Sequence, residues 1–127
     1  MPFTLSDRSK KRLQGVHPDL VRVVERAIEL TPVDFVVTEG RRTKARQREL
    51  VAAGASQTMN SRHITGHAVD LAALVGGKVR WDWPLYSQLA GAMMMAAAEL
   101  KIPLEWGGKW ESFKDGPHFQ LPRAKYP

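Results

Sequence analysis

Larger apolar residues recur at helical spacing in Leu20, Val21, Val23, Val24, Ala27 and Ile28, which predicts a helix from Pro18 to Leu30 with Pro18 in its first turn. A short basic amphipathic segment precedes it over residues 6–13, with Ser6 or Asp7 as N-cap and Gly15 closing it. After Thr31-Pro32, the run Asp34-Phe35-Val36-Val37-Thr38 has the β-branched and aromatic character of a strand, stopped by Gly40. Residues 43–53 are polar, basic and rich in helix formers, so a helix follows, with Gly54 at its C-terminal cap. Residues 55–65 lack apolar periodicity and read as a loop. Beyond it Val69 and Leu71 alternate with Ala68, Asp70 and Ala72, a strand over residues 68–74 whose second face carries small side chains around one carboxylate. Gly76-Gly77 signals a hairpin with residues 78–81 returning. Pro84 opens a long Ala- and Met-rich helix to Leu100, in which Met93 to Met95 read as adaptable core filler, and Pro103 ends it. Residues 104–110 read as a strand entering a glycine-rich turn, and residues 118–121 as a last strand. The expected fold class is α+β, a small antiparallel sheet flanked by helices, with no repeats, low-complexity tracts or linkers.

Composition narrows the chemistry. At 127 residues and 43% hydrophobic the chain fits one globular domain with its own core, so residues 1–127 are expected to form a single domain. The absence of cysteine removes disulfides, thiolate metal sites and cysteine nucleophiles together, so any metal must sit on His and carboxylate ligands. Nineteen Lys and Arg against thirteen Asp and Glu, net +6, favour an anionic partner such as nucleic acid, a membrane surface or an acidic polymer. The N-terminus has no apolar stretch typical of a secretory signal, and no run approaches the roughly 20 apolar residues of a membrane span. The expectation is a protein made in the cytoplasm.

Four histidines occur, and a lone histidine is more often structural than functional. Two have informative surroundings. A loop delivers His63, Gly66 lets the backbone turn, and the following strand delivers Asp70 seven residues on. His118 follows Asp115 by three residues, with Pro117 disfavouring a helix between them. Two imidazoles and one carboxylate form a catalytic Zn²⁺ set when a fourth position is left to water, and Asp115 can then take a proton from that water. Neither spacing is the helical His-Glu-x-x-His pattern.

The segment Ser61-x-His63-x-x-Gly66-x-Ala68-x-Asp70, together with Asp115-x-x-His118, resembles the zinc peptidoglycan peptidases. That group includes D-alanyl-D-alanine carboxypeptidases, vancomycin-resistance D,D-dipeptidases and phage L-alanyl-D-glutamate endopeptidases. The phage endolysin branch matches best, through Gly15-Val16-His17-Pro18-Asp19-Leu20, Gly40-Arg41-Arg42-Thr43 with Gln47, and Trp106-Gly107-Gly108-Lys109-Trp110 leading to Asp115-Gly116-Pro117-His118-Phe119. The resemblance covers about residues 13–121. It implies that His63, Asp70 and His118 bind Zn²⁺, that Asp115 is the general base, and that Arg42, with Arg41 beside it, binds substrate and stabilises the oxyanion. Many relatives carry glutamate at the Asp115 position, and the endolysin-like branch often carries aspartate. Ser61 falls on a motif position near the metal.

The remaining candidates have plainer readings. His67 lies in a variable slot of the motif, and a catalytic zinc with three ligands has no need of it, so it is expected behind the ligands or on the strand surface. His17 is expected to pack or bond at the helix start. Trp81, Trp83, Trp106 and Trp110 are expected as core or rim, with Trp106 and Trp110 also able to line a cleft because they flank the glycine turn. Of Arg41, Arg42, Lys44, Arg46 and Arg48, all but Arg42 read as a solvated face.

The leading function is hydrolysis of the L-alanyl-D-glutamate bond of the peptidoglycan stem peptide, lysing the bacterial host after holin-type release. Its rival is a D,D-carboxypeptidase or dipeptidase on the same site. A basic nucleic-acid-binding domain is a different class, but no nucleic-acid motif occurs. An inactive wall-binding module is a third. A catalytic fold that fills 127 residues leaves no separate wall-binding domain, so the positive charge is expected to hold a monomeric enzyme on the anionic envelope.

Overall fold

A computed structural model describes residues 2–56, 59–111 and 114–127; Gln57 and Thr58 of the expected loop, and Met1, Ser112 and Phe113, lie outside the described residues. Helix α1 (Asp7–Arg12) starts where Ser6 Oγ accepts the Ser9 amide at 3.1 Å. Its last turn carries Lys10, Lys11 and Arg12 against the negative end of the helix dipole. Helix α2 (Pro18–Leu30) is capped by His17, whose Nδ1 accepts the Asp19 amide at 3.0 Å, so His17 bonds at the helix start as expected. Strand β1 (Asp34–Glu39) and helix α3 (Lys44–Ala52) follow, the latter capped by Thr43 Oγ1. Then come β2 (Ala68–Val75), β3 (Lys78–Arg80), α4 (Trp83–Leu100), β4 (Glu105–Trp106), a 3-10 turn (Gly107–Lys109) and β5 (His118–Gln120). Among the described residues no helix is long and apolar enough to cross a membrane.

All strand pairs are antiparallel, in the order β1-β2-β5-β4, with β3 also on β2. Helix α2 packs on α4 and α4 on β2, and Leu20, Val23 and Val24 of α2 share one buried core with Leu89 and Met93 of α4 and Phe35, Val37, Val69, Leu71 and Phe119 of the sheet. The helical spacing read along α2 is thus its buried stripe. Helix α1 closes the other side of β1, where Ser9 Oγ accepts the Val37 amide and Arg12 donates to the Val37 carbonyl.

Two expectations need correction. The strand expected over residues 104–110 pairs only at Glu105 and Trp106, because the chain turns at Gly107-Gly108 and the Gly107 carbonyl accepts the amides of Trp110 and Asp115 instead of a ladder partner. Of the three methionines only Met93 is core. Helix α4 buries positions 86, 89, 90, 92, 93, 96 and 97, a face that leaves Met94 and Met95 outside at 39% and 61% exposure.

Gly66 joins the loop to β2 with φ +78°, and a Cβ there would collide with the Gly15 carbonyl oxygen. Its own carbonyl accepts the His17 amide at 2.8 Å, which ties the loop to the start of α2. Gly54, at φ +77°, has open space around it. Gly54→Ala therefore meets backbone strain alone, about 1 kcal/mol, whereas Gly66→Ala adds a collision and is expected to cost about 2–4 kcal/mol. Thermal denaturation of the two variants checks this; equal losses would show that the collision contributes nothing.

Candidate active site

The sheet brings the chemical side chains together through its register. Asp70 stands in central strand β2, opposite Glu39 on one side and His118 on the other. His63 arrives from the loop, which is pinned to the chain after β1 by two bonds: His63 Nδ1 donates to the Gly40 carbonyl at 2.8 Å and the Arg42 amide donates to the His63 carbonyl at 2.9 Å. Ser61 Oγ accepts the His63 amide. His63 and His118 are buried, and each has a ring nitrogen 3.2 Å from the same oxygen, Asp70 Oδ1.

The hydrogen-bond network assigns the ring protons. A carbonyl only accepts, so His63 carries its proton on Nδ1 and turns the Nε2 lone pair toward Asp70. Gln120 Nε2 donates to Glu105 at 3.0 Å, which aims Gln120 Oε1 at His118 Nε2, 2.8 Å away. That ring nitrogen therefore donates, and His118 Nδ1 turns its lone pair toward Asp70 as well. Two lone pairs and a carboxylate oxygen, all within 4.8 Å of one another, repel unless a proton or a metal cation sits among them. Bonds of roughly 2.0–2.1 Å in a tetrahedral site put ligand atoms about 3.3 Å apart, close to the two separations of 3.2 Å. Burial pushes Asp70 up, but where a proton rather than a cation sits between a ring and this carboxylate, the hydrogen bonds it makes, from His118 and from His63, overcome burial and hold the carboxyl well below the usual range. Burial likewise pulls His118 down, but the Asp70 carboxylate more than reverses it, so without a cation a proton on that ring is what relieves the repulsion. The trio has the donors, distances and electrostatics to hold a metal ion.

Asp115 stands beside this group, its Oδ2 4.0 Å from His118 Nδ1. Its amide is held by Gly107 and its carbonyl by the His118 amide. Burial, then the Asp70 charge, push its carboxyl above the ordinary range, with both imidazoles and Arg42 pulling back. Arg42 is buried and clamped: Nε and Nη2 meet both oxygens of Glu39 at 2.6 and 2.7 Å, Nη1 donates to Gln47 at 2.5 Å, and Nη2 lies 3.9 Å from Asp70. Arg41 is exposed and leans on Gly15, so Arg42 is the arginine that faces the site.

These groups line a cleft of about 790 Å³. Ser61 and Trp110 line it too, and the Trp110 ring lies 5.1 Å from that of His118. Trp106 differs. Its indole donates to the Gly116 carbonyl at 2.7 Å and stacks on Phe119, so it braces the turn and is not among the described lining residues. His67 stands apart from the trio that can hold a metal, its ring tilted 5.6 Å from that of His17 and hydrogen-bonded to Thr65, with burial and the neighbouring Arg62 pulling its pKa down. Sequence reasoning missed Glu39, which no spacing marks, and gave Gln47 no role. The signal available for Gln47 was its place beside Gly40-Arg41-Arg42-Thr43 in the resemblance, and the structure makes it the sole buried residue of α3.

Residues 1–121 match the family of phage L-alanyl-D-glutamate peptidases. The L-alanyl-D-glutamate peptidase of Escherichia phage T5 is 36% identical over 130 residues, covering 99% of this chain and 94% of that protein. The crystal structure of the L-Ala D-Glu endopeptidase ChiX of Serratia marcescens is 53% identical, with a TM-score of 0.94 over 99% of this chain and 95% of that one. The vancomycin-resistance D,D-dipeptidase VanXYg shares the fold, with a TM-score of 0.56 at 18% identity over 87% of this chain and 53% of its own. With a family match over nearly its whole length and a buried His-His-Asp group at the centre of its cleft, the chain belongs to the phage L-alanyl-D-glutamate peptidase family.

Proposed function

We propose that this protein is a zinc-dependent peptidoglycan endopeptidase that hydrolyses the L-alanyl-D-glutamate bond of the stem peptide, an endolysin-type activity, with residues 1–127 as one catalytic domain. One observation carries the reading: three potential electron-pair donors, His63 Nε2, Asp70 Oδ1 and His118 Nδ1, converge within 4.8 Å of one another beside a carboxylate and a fixed guanidinium. Two imidazoles and a carboxylate are a common catalytic Zn²⁺ set, and three protein ligands leave a position for water or substrate. When bound there, zinc supplies Lewis acidity that polarises the scissile carbonyl and lowers the pKa of water toward roughly 7.

The side chains supply the rest. Asp115 takes the proton of the attacking water as the carbon–oxygen bond forms, then delivers it to the leaving amine as the carbon–nitrogen bond breaks. Arg42 offers charge to the developing oxyanion. Of its five N–H groups, Glu39 and Gln47 take three, which leaves one on each terminal nitrogen. Because the clamp is built before substrate arrives, little reorganisation is needed during reaction. Ser61 and Trp110 are the expected substrate contacts on the cleft wall, and the net charge of +6 holds the monomer near the anionic envelope.

Mass spectrometry of digested muropeptides tests the bond assignment. The expected products are glycan strands keeping only L-alanine, and free peptides that begin with D-glutamate. Release of terminal D-alanine with the L-alanyl-D-glutamate bond intact would instead make the protein a D,D-peptidase.

A further inference from the structure

Where β3 gives way to α4, two indoles stand in solvent. Trp81 is 53% and Trp83 48% exposed, although Tyr86, against which both rest, is buried. The Trp83 ring meets Tyr86 edge-on at 5.4 Å and the Trp81 ring lies tilted at 6.4 Å. Both indoles are therefore pinned rather than loose, and they contribute nothing to the core.

The sheet register brings this patch beside the chain segment that carries Asp115 to the cleft. Strands β3 and β5 lie on the same edge of β2, opposite β1: Arg80 faces Ala73 and His118 faces Asp70. The chain leaving β3 and the chain entering β5 thus run toward each other beside Leu71 and Ala72, where the Leu71 amide donates to the Pro117 carbonyl. Gly116 has no side chain because the Tyr86 ring occupies that space, and a Cβ there would strike it. The order in space is therefore Trp81 and Trp83, then Tyr86, then Gly116, then Asp115.

In peptidoglycan the L-alanine of the stem is joined to the lactyl group of a sugar. An extended residue spans at most about 3.6 Å, so a stem cut after its first residue keeps that sugar within about 10 Å of the scissile carbon. The glycan must run along a rim of the cleft. A sugar has an apolar C–H face that packs on an aromatic ring, and two pinned indoles lose little conformational freedom when they are covered.

We propose that Trp81 and Trp83 form a glycan subsite, which stacks on amino sugars of the strand whose stem is being cut. This rests on the endopeptidase reading, so its test has one arm that does not. Glycan strands stripped of their peptides are titrated calorimetrically into the wild type, into the double variant Trp81→Ala/Trp83→Ala and into Trp81→Phe/Trp83→Phe. Binding is expected for the wild type, retention of most of it by the phenylalanine pair, and at least a tenfold loss for the alanine pair. Hydrolysis is then measured on intact sacculi and on a soluble stem peptide without sugar. The alanine pair should lose tenfold or more on sacculi, chiefly in KM, while staying within twofold of wild type on the soluble peptide, which also shows that the variant is folded.

Equal losses on both substrates, undiminished activity on sacculi, or stripped strands that fail to bind the wild type would each overturn the proposal. So would a wild-type dimer in sedimentation that the alanine pair dissolves, which would assign the patch to a second copy. If the wild type cut neither substrate at the L-alanyl-D-glutamate bond, the endopeptidase reading would fall, and the titration would still decide the subsite.

Discussion

Chelation with EDTA is expected to lower hydrolysis of peptidoglycan by at least about 10⁴-fold, with Zn²⁺ restoring it, because the whole Lewis-acid contribution to a peptide-bond cleavage is then lost. Folding should report the same event. Without a cation, two imidazole lone pairs and the Asp70 carboxylate face one another in a buried site, and only protonation relieves them. Zn²⁺ at about 1,000 times its dissociation constant adds about 4 kcal/mol to folding. That is on the order of 10 °C in Tm for a domain of this size. His63→Ala should abolish both the activity and the metal-dependent rise in Tm. Full activity after exhaustive chelation, or a Tm indifferent to Zn²⁺, would remove the metal from the mechanism.

Replacing Asp115 separates chemistry from metal binding. Its carboxylate lies 4.0 Å from His118 Nδ1, outside the trio that can hold the ion, while its backbone is fixed by Gly107 and His118. Asp115→Asn keeps the shape and removes the proposed proton acceptor. The expected result is a fall in kcat of about 10²–10⁴-fold with zinc stoichiometry and Tm nearly unchanged. Asp115→Glu should recover part of the rate, since the same chemistry is available on a longer arm. If the asparagine variant lost its zinc instead, Asp115 would be a ligand, and the division of labour between it and Asp70 would have to be redrawn.

Much of the fold was legible in the chain because the signals were local. The apolar stripe of α2, the Ser6 cap and the Gly76-Gly77 hairpin each act within a few residues of where they are written. The misreadings came where a distant partner decides. Residues 104–110 contain aromatic residues enough for a strand, yet Gly107 bonds to Asp115 across the turn, and the ladder stops at Trp106. Met94 and Met95 differ from Met93 only in the direction that the packing of α4 against α2 gives them. Trp106 and Trp110 flank the same turn, but the first bonds to Gly116 and the second lines the cleft.

By itself the sequence determined which residue types were present for chemistry. No cysteine left imidazole and carboxylate as the candidate metal ligands, and the spacings of His63 to Asp70 and Asp115 to His118 marked the segments that carry these groups. Only the tertiary structure decided what state those groups are in. The proton on His63 is placed by Gly40, 23 residues away, and that on His118 by Gln120 as Glu105 orients it. Arg42 was distinguished from Arg41 by the Glu39 and Gln47 clamp. A tautomer or a fixed guanidinium depends on which hydrogen-bond partner arrives from elsewhere in the chain, and that is a property of the folded sheet.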